Sequence, residues 1–165
     1  MKESEVEKIQ LAAGCFWGVQ QILDQQPGVL KTTVGYSGGH TKNPNYKEIC
    51  TGSTGHAETV LVEYDPSKIS LEVLLNVFWR LHNPTTLNRQ GPDIGHQYRS
   101  AIFYYSEEQK EVALKSKKAF DEKGDYSDPA VTEILPSEEF YPAEDYHQKY
   151  FEKNPGQGCH YLRPE

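Results

Sequence analysis

The apolar residues of this 165-residue chain change their spacing in a fixed order, and that order leaves few folds open. Lys8–Ala12 alternates as a strand does, and from Phe16 the apolar positions become Phe16, Val19, Ile22 and Leu23, the spacing of one helix face. Pro27-Gly28 stops that helix. Val29–Tyr36 is β-branched and predicts a second strand, followed by turn formers from Ser37 to Asn45. Tyr46–Cys50 reads as one helical turn, and His56–Tyr64 as a third strand closed by Asp65-Pro66. Ser70 is a good N-cap for a helix with Leu71, Leu74, Leu75, Phe78 and His82 on one face, ended by Asn83-Pro84. Thr85 to Gln97 is irregular, and Arg99–Tyr105 is the fourth strand. The order β-α-β-β-α-β is the split βαβ, or ferredoxin-like, arrangement. It predicts an α+β fold, a two-layer α/β sandwich with helices mainly on one face of the sheet.

Past this core, Ser106 with Gln109 predicts a capping box opening a helix to about Lys123, closed by Gly124. A weaker strand at Val131–Leu135 and a helix from about Ala143 to Lys153 lead into a glycine-containing tail. No repeat and no long linker divides the chain, so residues 1–165 are expected to form a single domain.

A formal charge of −7, with the charges scattered, argues against nucleic acid or an anionic membrane as partner. The start of the chain is too polar for a signal peptide, and the longest apolar stretch, around Val73–Trp79, is too short to span a bilayer. A cytoplasmic, monomeric protein is expected. The three cysteines, Cys15, Cys50 and Cys159, are odd in number and widely spaced, which favours catalytic or metal use over a disulfide framework. The six histidines are dispersed, no Cys-x-x-Cys occurs, and no glycine-rich phosphate loop follows a strand. Neither a metal nor a nucleotide cofactor is expected.

Gly14-Cys15-Phe16-Trp17-Gly18 combines a reactive atom, a permissive backbone and apolar walls. The strand–Gly–Cys–helix reading puts Cys15 at a helix N-terminus, where backbone N–H groups favour a thiolate. A buried core cysteine is the competing reading, and the flanking glycines count against it. Phe16 and Trp17 are neighbours on a helix and point in different directions, so at most one lies deep in the core. The other is left beside the thiol, and the pair suggests a pocket for something small and apolar. Glu58 shares a strand face with Val60, Val62 and Tyr64. There it is either a desolvated carboxyl of raised pKa, suited to general acid work, or a solvated edge-strand glutamate. Asp93 and Tyr98 lie in the irregular segment; the tyrosine can donate a hydrogen bond, and Asp93 alone also reads as a turn residue. With His56 or His96 as base, Cys15 would equally suit a cysteine hydrolase or acyltransferase. A ferredoxin-like ligand-binding module with an incidental cysteine is the non-enzymatic alternative.

Together these segments resemble the peptide methionine sulfoxide reductase A family. The matching motifs are Gly14-Cys15-Phe16-Trp17-Gly18, Tyr46-Lys47-Glu48-Ile49-Cys50 and Gly55-His56-Ala57-Glu58. Phe78-Trp79, His82-Asn83-Pro84-Thr85, Gln90-Gly91-Pro92-Asp93-Ile94-Gly95 and Gln97-Tyr98-Arg99-Ser100 continue the likeness in order and spacing over nearly the whole chain. The resemblance implies reduction of the S epimer of methionine sulfoxide, free or in proteins, on a ferredoxin-like sandwich. It implies Cys15 as nucleophile, Glu58 as acid, Tyr46 and Tyr98 as hydroxyl donors, Asp93 as orienting group, and Phe16 with Trp17 around the substrate methyl. It further implies a Cys15 sulfenic acid, a disulfide with a resolving cysteine, and recycling by thioredoxin or a similar dithiol. Two departures stand out: Asn83, where the family often has Asp, and the tail. The tail reads Gly158-Cys159-His160 where many members have Gly-Tyr-Cys. Cys159 is the expected resolver, with Cys50 as the alternative.

Overall fold

A computed structural model describes residues 6–51, 54–90, 93–124, 126–137 and 139–150, the Cys50 side chain excepted. The predicted order is present: β1 (Glu7–Ala13), α1 (Phe16–Asp24), β2 (Val29–Ser37), α2 (Tyr46–Cys50), β3 (Ala57–Tyr64), α3 (Leu71–Arg80). The irregular segment then holds two short strands, β4 (Arg89–Gln90) and β5 (Asp93–Ile94), paired as a small hairpin. β6 (Ser100–Tyr104), α4 (Glu107–Lys123), β7 (Glu133–Pro136) and β8 (Tyr141–Pro142) follow. Among the described residues, the main sheet has six strands in the order β7-β6-β1-β3-β2-β8. Its inner four, β6-β1-β3-β2, pair antiparallel throughout, the ferredoxin-like order. β7 extends the sheet parallel to β6 after the α4 crossover, and β8 adds antiparallel to β2.

Strand alternation decides which face is covered. Ile9 and Leu11 of β1, Val34 of β2, Val60 and Val62 of β3 and Ile102 of β6 form one buried cluster with Phe16, Val19 and Leu23 of α1 and Leu74, Leu75 and Phe78 of α3. The alternate residues Ala12, Ala57, Ala101 and Phe103 make a small cluster on the other face. α3 begins as expected: the Ser70 side chain accepts from the Val73 N–H, a cap worth about 1 kcal/mol. The Ser106 hydroxyl likewise accepts from Gln109 N–H, but the Gln109 side chain accepts from Tyr105 N–H, one residue before the expected capping-box partner. A full box forms at α2, where Asn45 and Glu48 satisfy each other's backbone.

The segment expected as a helix from about Ala143 differs over its described part. It forms β8 and a 3-10 turn, Asp145–His147, and Lys149 then takes a φ of +57°. Tertiary anchors displace the local helix bonds. Ala143 N–H donates to Val34 O at 2.9 Å, and the Gln148 amide brackets the Val34 backbone, accepting from its N–H at 3.0 Å and donating to its C=O at 2.9 Å. Lys149 N–H donates to Gln20 Oε1 at 2.8 Å. Apart from that one turn, residues 141–149 are thus laced to β2 and α1 instead of forming an α-helix. Among the described residues, no helix is long and apolar enough to cross a membrane.

Candidate active site

Where β1 ends and α1 begins, Gly14 adopts a φ of +94°, a region that favours glycine, and the turn delivers Cys15 to the N-cap of α1. Cys15 is half-buried, and its thiol makes no capping hydrogen bond. The first helical N–H, that of Phe16, donates to Glu58 Oε1 at 3.3 Å. The positive end of α1 therefore serves a thiol and a carboxyl together.

Glu58 is 2% exposed and points into the helical layer, as the alternation with Val60 and Val62 predicts. It is not a solvated edge residue, because β3 lies between β1 and β2. Burial, with the neighbouring Cys15 thiolate and Asp93 adding to it, pushes its carboxyl from 4.5 up to about 8; hydrogen bonds from Phe16 N–H and the Gln97 amide pull the other way without prevailing. The Gln97 amide donates to Glu58 Oε2 at 3.4 Å. At neutral pH this carboxyl carries a proton within the electrostatic reach of a cysteine.

The aromatic pair divides as its spacing predicts. Phe16 is buried, with its ring 5.8 Å from Tyr36 and 5.3 Å from His147, while Trp17 is half-buried. Tyr150 stacks on the indole of Trp17, centroids 3.8 Å apart. Tyr46, first residue of α2, has its ring 4.5 Å from His147. Asp93 comes in on β5, and Tyr98 lies in the 3-10 turn His96–Tyr98, beside the Gln97 that reaches Glu58. Cys15, Phe16, Trp17, Glu58 and Asp93 thus converge; the Tyr46 ring joins them through His147, and Tyr98 is the chain neighbour of the Gln97 that touches Glu58. Cys159 lies outside the described residues, as does the Cys50 side chain.

Five residues of this cluster escape the sequence reading. Gln97 touches Glu58, Tyr36 stands opposite Glu58 in the β2–β3 register, and Tyr150 covers Trp17. Glu144 accepts from the Tyr36 hydroxyl at 2.9 Å and from Tyr46 N–H at 3.0 Å. Burial alone would raise the Glu144 carboxyl, but these bonds and nearby His147 outweigh it and hold it below the ordinary range. Burial, helped by the Glu144 bond, pushes the Tyr36 hydroxyl far above its ordinary value. His147, the fifth, accepts the Trp17 indole N–H at Nδ1, 2.9 Å away. Of these, Tyr36 left a signal in the sequence as an alternating residue of a predicted strand, and Gln97 as the first residue of the Gln97-Tyr98-Arg99-Ser100 motif.

His56 does not serve as a base to Cys15. Its Nδ1 accepts from Gly39 N–H at 3.0 Å and its Nε2 lies 2.6 Å from Thr41 O, so the ring clamps the loop that precedes α2. A separate groove of about 530 Å³ between α3 and α4, floored by Trp79 and Phe120, shares no residue with the cluster. Among the described residues, no group of three or more His, Cys, Asp or Glu side chains is placed to hold a metal.

Known proteins can be compared with this arrangement. The family model described as peptide methionine sulfoxide reductase matches residues 7–165. The chain is 57% identical over 148 residues to "Peptide methionine sulfoxide reductase MsrA" of Methanosarcina mazei, covering 90% of this chain and 70% of that protein. In structure it is similar to reduced Mxr1 of Saccharomyces cerevisiae, with a TM-score of 0.92 and 37% identity over 99% of this chain and 95% of that one. It is also similar to Mxr1 in complex with Trx2, with a TM-score of 0.68 and 27% identity over 99% and 94% of the two chains.

Proposed function

Because this chain belongs to the peptide methionine sulfoxide reductase family, we propose that it reduces the S epimer of methionine sulfoxide, free or in proteins, with Cys15 as nucleophile and Glu58 as acid. The observation that carries the roles is the buried Glu58 carboxyl, pushed up to about 8 and tied to the helix start that bears Cys15.

The chemistry follows from those two groups. The Cys15 thiolate attacks the sulfoxide sulfur as the S–O bond weakens, and the departing oxygen needs a proton, which Glu58 holds at neutral pH. Tyr46 and Tyr98 add hydroxyl donors for that oxygen, and Asp93 orients the site. Phe16 and Trp17 wall the apolar space for the methyl group. The oxygen leaves as water while a Cys15–substrate S–S bond forms. Water then attacks Cys15 Sγ, that S–S bond breaks and a proton is released. The substrate sulfur departs as the thioether, reduced by two electrons, and Cys15 is left as a sulfenic acid, oxidised by two. That acid condenses with a second thiol, releasing water and forming a disulfide. Cys159 is our choice for that thiol and Cys50 the alternative. A thioredoxin-like dithiol reduces the disulfide, a step consistent with the similarity to Mxr1 in its complex with Trx2. We assign the work to one domain acting as a monomer in the cytoplasm, where a reducing environment keeps Cys15 a thiol.

Purified protein is given a racemic methionine sulfoxide derivative and dithiothreitol. Consumption of half the racemate is expected, and Cys15→Ser should abolish it. Consumption of both epimers would overturn the stereochemical assignment, and retained turnover in the serine variant would overturn the nucleophile. Ester cleavage without sulfoxide reduction would restore the hydrolase reading.

A further inference from the structure

We infer that His147 is a positioning residue for this site, fixing the rotation of the Trp17 ring by accepting its indole N–H. The inference rests on the reading above in which Trp17 walls the substrate's methyl pocket.

His147 is 1% exposed and sits among the rings of Phe16, Trp17, Tyr46 and Tyr146, with centroids 5.3, 5.6, 4.5 and 4.2 Å away. An imidazole in such surroundings is costly to keep unless its polar atoms are used. One of them is: Nδ1 lies 2.9 Å from Trp17 Nε1. An indole nitrogen can only donate, so Nδ1 carries the lone pair and the ring proton is on Nε2. Nε2 has no hydrogen-bond partner among the described residues and lies 4.0 Å from Glu144 Oε1. A carboxylate at that distance favours this tautomer, because it attracts the N–H and repels a lone pair.

Glu144 is itself held from two sides, by the Tyr36 hydroxyl and the Tyr46 N–H. The order is therefore a carboxylate fixed by β2 and α2, an imidazole oriented by the carboxylate, and an indole pinned by the imidazole. Burial, partly offset by Glu144, pushes the imidazole below its ordinary value and keeps the Nδ1 lone pair available. Tyr150 stacks on one face of the Trp17 indole, and His147 holds its edge. The stacking sets the plane of the ring, and the hydrogen bond selects which of its two edges faces His147. The role of Trp17 as a wall for the substrate's methyl group depends on both, since even a small displacement of a positioning group slows a reaction steeply.

The test uses the full chain with His147→Phe, which fills the space without an acceptor, and His147→Asn, whose side-chain oxygen falls near the Nδ1 position. His147→Leu stands in if the aromatic variant does not fold. The Trp17 indole 1H–15N resonance, assigned with Trp17→Phe, should shift upfield and exchange faster in His147→Phe and stay near its native position in His147→Asn. With racemic sulfoxide and dithiothreitol, kcat/KM should fall about 3- to 10-fold in His147→Phe, the range of one net hydrogen bond, mostly through KM. His147→Asn should recover most of it, and in a Trp17→Phe background His147→Phe should cost less than about twofold. An unmoved indole resonance, no recovery with asparagine, or an undiminished loss in the Trp17→Phe background would each overturn the inference. A native protein with no sulfoxide reduction would instead overturn the reductase reading, and this one with it.

Discussion

Replacing Glu58 with glutamine isolates the proton that the mechanism needs, and the structure sets both the sign and the size of the effect. The native carboxyl titrates near 8 in the fold against 4.5 ordinarily. Between those values the folded chain binds more protons than the unfolded chain, so this group's contribution to stability is intact below about 4.5 and is lost as pH rises through about 8. At 1.36 kcal/mol per pH unit, the loss between pH 5 and pH 9 is about 4 kcal/mol. Glutamine has the same shape and no proton to lose. It can accept from only one of the Phe16 and Gln97 donors without turning its own NH2 toward the other, a mismatch of about 1–2 kcal/mol at all pH values. Glu58→Gln should therefore be slightly less stable than the native chain at pH 5 and more stable at pH 9. In urea, with a slope of ~2 kcal/mol per M, the difference in midpoints should swing by about 2 M over that range. Groups that do not sense the Glu58 charge cancel in the comparison. Single-turnover reduction by the variant should be slower by about 10²- to 10⁴-fold. A midpoint difference independent of pH would show that Glu58 does not titrate near 8, and an unchanged single-turnover rate would refute its role as acid.

Other perturbations test other parts of the site and fold. Cys159→Ser should leave one turnover intact while blocking thioredoxin-driven recycling; full turnover with thioredoxin would shift the resolving role to Cys50 or to direct reduction. Gly28→Ala should destabilise the chain by about 2–4 kcal/mol in urea unfolding, because the residue has a φ of +98° and an added Cβ would lie 2.6 Å from Ile69 Cγ2. A loss under about 1 kcal/mol would mean that the turn relaxes.

Much of the core was legible in the sequence because its signals are local. Period-two runs, 3.6-residue faces and the Ser70 cap each depend on a handful of neighbouring residues, and β1, β2, β3, β6 and α3 follow them closely, whereas the short β4–β5 hairpin falls in a segment with no such signal. The segment after Val131 was less legible. Residues 143–149 have the composition of a helix, yet Gln148 and Lys149 find better partners on Val34 and Gln20, more than a hundred residues away in sequence. Distant hydrogen bonds overrode a weak local preference, and no window of sequence contains that competition.

The site shows the same division. Sequence alone determined the Gly14-Cys15-Phe16-Trp17 turn, the position of the thiol at a helix start and the face of β3 that carries Glu58, since glycine's tolerance of positive φ, strand alternation and helix periodicity act within a few residues. Only the tertiary structure decided that Glu58 is desolvated, because that needs β1 and β2 on either side of β3 and α1 above it. Only the tertiary structure brought Tyr36, Glu144 and His147 to the aromatic wall. Burial and the fields of neighbouring charges are properties of what surrounds a side chain, and here that surrounding is assembled from opposite ends of the chain.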